Sequence, residues 1–198
     1  MNPIWRASCR WVPSIFAFLT SLGIAMAIAG PPSAAAASNG LSASNAIKSP
    51  PQPGAETRRL EKEFREGLGA YQANDYPRAL KHWLPAAYGG NASARSSIAY
   101  LYLNGLGVRR SEYSAFVWYA MAAMQGEATA QFNVGTMFLR GRVVDHDPAS
   151  AYMWCDLAMK AGYPGAHRCR ESAARNLNEA EMNSAEHRGQ KILSGNAM

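Results

Sequence analysis

Two glycines and two arginines crowd one short stretch of the chain, "NGLGVRR" from Asn104 to Arg110, in the manner of loops that cradle phosphate. Such a loop needs backbone amides aimed at the anion and a helix starting behind them, in a strand-turn-helix setting or with a following Gly-Lys-Ser/Thr. Here a helical pattern precedes the glycines and no such lysine follows. Residues 101–110 also align with 137–146, "MFLRGRVVDH", 36 positions on, where Gly141 recurs and Val143 replaces the second glycine. The stretch therefore reads as a structural turn.

Cys155 and Cys169 lie seven residues on either side of Gly162. In a helical hairpin turning there they stand at similar height. Cys155 shares a stripe with Ala151 and Trp154, and Cys169 follows Ala166 by three, so both face inward. Two readings remain, a disulfide staple or a pair of buried free thiols. His82, His146, His167 and His187 show no zinc spacing with these cysteines, so neither metal nor cofactor is expected. Ser, His and Asp occur without a nucleophile elbow, so no catalytic residue is assigned and the protein reads as a non-enzyme.

The N-terminus carries Arg6 and Arg10 without an acid, an apolar run from Ile15 to Ala29, then Ala35 and Ala37 in an A-x-A arrangement. That order describes a secretory signal peptide over residues 1–37, the alternative being an uncleaved inner-membrane tether. Cleavage removes both arginines and Cys9, lowering the formal charge from +6 to +4 and leaving an even pair of cysteines for an oxidising compartment, periplasmic or extracellular. So mild a basicity gives no support to a nucleic-acid partner, and no membrane span remains after cleavage. Residues 38–56, "SNGLSASNAIKSPPQPGAE", are small, polar and Pro-rich, which predicts a disordered linker. The folded region is expected over 57–196.

The elements that must position these residues repeat every 36 positions. Asp75, Ser111 and Asp147 coincide, as do Ala79, Ala115 and Ala151, then Gly90, Gly126 and Gly162, then Ala94, Ala130 and Ala166. Within a unit, Ala115, Trp118, Tyr119 and Ala122 fall at i, i+3, i+4 and i+7, one apolar helical stripe. Small alanines facing large aromatics let helices approach closely. The pattern predicts an all-α solenoid of antiparallel helical hairpins, with units at about 75–110 and 111–146, a partial unit at 147–176, and a capping helix over 178–193 opened by Asn178 and Glu181.

"NASARSSIAYLYLNGLGV" (91–108), "SAFVWYAMAAMQG" (114–126) and "ATAQFNVGTMFLRG" (128–141) closely resemble the Sel-1-like repeat family, a longer relative of the tetratricopeptide repeat. The family pattern is A-x-x-L-G-x-x-Y-x-x-G-x-G-V, then K-A-x-x-W and A-A-x-x-G. The resemblance covers about 68–175 and departs at Val143 and at Arg170 and Glu171, where Leu-Gly is expected. Those two occupy the positions of Val134 and Gly135, and their polarity suits a helix with no neighbour beyond it. The resemblance implies scaffolding or regulation of an envelope protein, through a protein or peptide partner. Ser96, Tyr100 and Leu103 recur as Phe132, Thr136 and Leu139, a candidate groove on the concave face, or residues that merely pack between hairpins. Arg109, Arg110, Arg140 and Arg142 form a basic rim, or solvated turn charges. Alternative readings are a cell-wall-associated hydrolase and a binder of an anionic envelope polymer.

Overall fold

A computed structural model describes residues 53–195. They form α1 (Pro53–Gln72), α2 (Tyr76–Tyr88), α3 (Ala92–Asn104), α4 (Glu112–Ala123), α5 (Ala128–Arg140), α6 (Pro148–Lys160), α7 (Ala166–Ala174) and α8 (Glu179–Leu193), with no strand among the described residues. The expected signal peptide over 1–37 and most of the expected linker lie outside them. α1 begins at Pro53, inside the segment read as linker, since proline fits the first helical turn, where no amide partner is lost.

The repeat register is written in the helix ends. Asp75, Ser111 and Asp147 are the N-caps of α2, α4 and α6, each accepting from a backbone amide three residues on. Gly90, Gly126 and Gly162 take left-handed φ values of 95°, 89° and 78°, turning the chain out of those same helices. Gly105 and Gly141 cap α3 and α5 in the same conformation. Arg95 Nε donates to Ala87 O at 2.9 Å and Gln131 Nε2 to Ala123 O at 3.3 Å, so equivalent side chains on α3 and α5 satisfy the ends of α2 and α4.

Packing follows the small-against-large rule. Ala79, Ala94, Ala115, Ala130, Ala151 and Ala166 are all fully buried. Trp83 and Tyr119, 36 apart, fill the space between helices, and the third equivalent position is Cys155. Gly135 of α5 lies against that smaller side chain. A Cβ on Gly135 would run into Cys155 Sγ and stand 3.2 Å from Ala151 O and from Cys155 N.

The end of the solenoid differs from expectation. Arg170 is only partly open to solvent, because α8 folds back onto α6 and brings Glu186 against it. Its guanidinium is held between Asp156 and Tyr152 of α6 and Glu186 of α8. Glu171, next to it, is exposed.

Candidate interaction site

Three successive repeats meet at an open groove of about 310 Å³. α1 contributes Leu68 and Tyr71, α2 contributes Trp83, α3 contributes Ser96 and Tyr100, and α4 contributes Tyr119. Trp83 is fixed from behind, its Nε1 donating to Phe64 O at 3.2 Å. Tyr71 lies against it at 5.7 Å between centroids, and Tyr100 meets Tyr71 edge-on at 6.2 Å. Tyr100 is 44% exposed, an aromatic face held in place and left open to solvent. Burial pushes the Tyr119 phenol far above its ordinary range, and burial and a hydrogen bond with Tyr100 raise Tyr71. Both phenols are therefore neutral at physiological pH and serve as apolar surface and hydrogen-bonding groups. Glu127, at the margin, is occupied as the N-cap of α5, accepting from Thr129 N at 3.2 Å and Ala130 N at 2.6 Å.

The six residues predicted as one groove part company. Ser96 and Tyr100 line it. Phe132 stacks on Tyr163 at 4.7 Å between centroids, bridging α5 to the turn after α6. Thr136 donates back to Asn133 O of its own helix, and Leu139 packs on the core. Leu103 lies one turn beyond Tyr100 and lines a second cavity.

That second cavity, of about 350 Å³, gathers three of the four predicted rim arginines, Arg110, Arg140 and Arg142, with Glu112, Leu103 and Met137. Arg110 Nη2 lies 2.7 Å from Glu112 Oε1 and Arg142 Nη2 lies 3.3 Å from the same oxygen. Arg140 makes no ion pair with the described residues, and the exposed Arg109 stays outside.

Cys155 and Cys169 are joined as a disulfide with Cα atoms 5.7 Å apart, tying α6 to α7. Beside it stands a charged cluster that sequence reasoning missed. Asp156 is 1% exposed and receives Arg170 Nε at 2.9 Å and Lys160 Nζ at 2.5 Å. The Tyr152 hydroxyl donates to Glu186 Oε1 at 2.8 Å and accepts from Arg170, whose guanidinium lies 4.7 Å from the Tyr152 ring centre. Burial and the Glu186 bond push Tyr152 up to about 12, and the Tyr152 and Arg170 bonds hold Glu186 below the usual carboxylate range. Each member has a partner within the cluster, which makes it a clamp on α8.

His82 is half-buried and paired with Glu63 at 2.9 Å and Glu66 at 3.4 Å. Ligand atoms of these three lie within 4.8 Å of one another, close enough to hold a divalent cation. As placed they satisfy each other.

The Sel1 repeat pattern matches residues 63–91, 92–127 and 128–163, just over half of the chain. Each matched unit pairs α1 with α2, α3 with α4, and α5 with α6, so the units are offset from the expected 75–110 and 111–146. No curated protein sequence matches the chain. Among solved structures, a protective antigen present in uropathogenic Escherichia coli strains, displaying an SLR fold, is similar over 72% of this chain at 24% identity and a TM-score of 0.63. The chain spans only 32% of that protein's length. A Sel1 repeat protein from Oxalobacter formigenes is similar over 59% of this chain and 90% of its own, at 24% identity and a TM-score of 0.54. With capped hairpins at 36-residue spacing, three matched units and SLR-fold neighbours all in agreement, the chain belongs to the Sel1 repeat family.

Proposed function

We propose that this protein is an exported interaction module, an adaptor that binds or regulates an envelope protein through the tyrosine-lined groove. Sel1 repeat proteins generally mediate protein–protein interaction, and the groove at the junction of three repeats carries the reading to particular residues. It offers a pre-ordered aromatic wall with an exposed ring, the kind of surface that anchors a partner side chain at low entropic cost. Export to the periplasm or beyond is supported by the leader-like order of residues 1–37 and by the Cys155–Cys169 disulfide, a bond of oxidising compartments. A hydrolase has less support, because the groove's marginal carboxylate is committed to capping a helix and burial raises the Tyr119 phenol.

A photo-crosslinking residue placed at Tyr100, and for comparison at the exposed Tyr88 on α2, outside both cavities, tests the reading in the native cell. Discrete adducts from position 100 alone support it, and equal yields from both positions count against it. The mass of the purified mature protein separately tests cleavage near Ala37.

A further inference from the structure

Positions that encode the scaffold are kept between the repeats, but three consecutive departures converge on one place. Asn104, Leu106 and Gly107 of the first turn become Arg140, Arg142 and Val143 in the next, and all three replacements line the 350 Å³ cavity. Gly107, at φ 66°, lies so close to the start of α2 that an added Cβ would stand 2.8 Å from Tyr76 Cβ and 2.9 Å from Pro77 N. Val143 does not share the positive φ. At the start of α4, Glu112 and Tyr113 take the places of Tyr76 and Pro77, and Val143 and Glu112 both line the cavity.

Its charge is unbalanced. Arg110, Arg140 and Arg142 face a single carboxylate, Glu112, whose Oε1 already bridges two guanidiniums. Glu112 shows the chemistry the site accepts, an aliphatic stem that ends in a carboxylate between arginine forks. Leu103, Met137 and Val143 supply apolar wall beside the guanidiniums, which suits an acidic side chain with hydrocarbon neighbours better than a bare inorganic anion. One turn of α3 separates Asn104 of this cavity from Tyr100 of the groove.

We propose that the cavity is an acidic-peptide site, which seats a glutamate or aspartate of a partner segment against Arg140 and Arg142. The ligand's being a peptide rests on the interaction-module reading, but the site stands on its own residues.

The test is fluorescence anisotropy of the purified protein with a labelled, end-blocked hexapeptide of alternating glutamate and leucine, and with its glutamine counterpart. The glutamate peptide binds and the glutamine peptide does not. Arg140→Ala with Arg142→Ala weakens binding about ten-fold or more, and Glu112→Gln, which frees two guanidiniums, tightens it. The groove is tested separately, by crosslinking from position 100, so failure of the groove and failure of the cavity are distinguishable. Unaltered helical circular dichroism checks folding for these solvent-facing changes. Binding indifferent to the arginines, or weakened by Glu112→Gln, overturns the proposal. So does full displacement by equimolar inorganic phosphate, which marks a generic anion site, or tighter binding of dextran sulfate at equal charge, which marks a polymer site.

Discussion

Arg170 Nε donates to Asp156 Oδ1 at 2.9 Å, fastening α7 to a carboxylate that is 1% exposed. Removing the cation leaves a buried charge with Lys160 as its one remaining ionic partner, so Arg170→Ala is expected to cost about 2 kcal/mol in urea denaturation. Replacing both partners with apolar side chains, Arg170→Met with Asp156→Leu, is expected to restore most of that loss. A single-variant cost below about 1 kcal/mol would show that the cluster does not hold α8.

The same cluster gives an acid-side signature. Hydrogen bonds from Tyr152 and then Arg170 hold Glu186 below its ordinary value of 4.5. At Asp147 burial pushes upward, but the Ser150 hydroxyl and the Ser150 and Ala149 amides prevail and hold it below 3.8. A depressed carboxylate stabilises the fold fully above its unfolded value and loses that contribution as pH falls through the folded one. Stability is thus expected to fall as pH drops below about 4.5, and Glu186→Gln should flatten the upper part of that decline. An unchanged pH profile in Glu186→Gln would contradict the hydrogen-bond assignment.

The staple closes a loop between residues 14 apart, for which chain entropy gives roughly 3 kcal/mol. The denatured, unreduced protein is expected to show no free thiol at Cys155 or Cys169. Reduction should lower the denaturation midpoint by a corresponding amount. Two titratable thiols before reduction would mean that these positions are only a close-packed pair.

Two glycines separate packing from propensity. Gly135→Ala forces a methyl into Cys155 Sγ at the crossing of α5 and α6 and is expected to destabilise by about 1–3 kcal/mol. Gly69→Ala, in α1 with nothing within 4 Å of the new Cβ, is expected to stabilise by about 0.5–1 kcal/mol. Thermal melts of the two variants should move in opposite directions.

The fold was legible because its register is local. A cap such as Asp147 or a turn such as Gly141 is set by a few neighbouring residues, and each repeats 36 positions away. The bond of Arg170 to Glu186 was not legible because it depends on α8 returning to α6, a contact its own neighbours in sequence do not encode. Helical spacing puts Tyr100 and Phe132 on one face; Tyr100 lines the groove, and Phe132 stacks on Tyr163, a turn residue with no counterpart in the spacing argument. The arginines were visible as turn charges, and only the packing of two successive turns shows that three of them share a cavity.

The central claim is that the wall of Tyr71, Trp83 and Tyr100 anchors a protein partner. The most direct measurement is calorimetric affinity for the partner captured through position 100, comparing Tyr100→Ala with Tyr88→Ala. Truncating a central tyrosine anchor is expected to cost about 2 kcal/mol, roughly a thirty-fold loss of affinity, with the melting temperature unchanged and Tyr88→Ala silent in binding. Equal affinity for Tyr100→Ala and the parent protein, with the fold intact, would contradict the account.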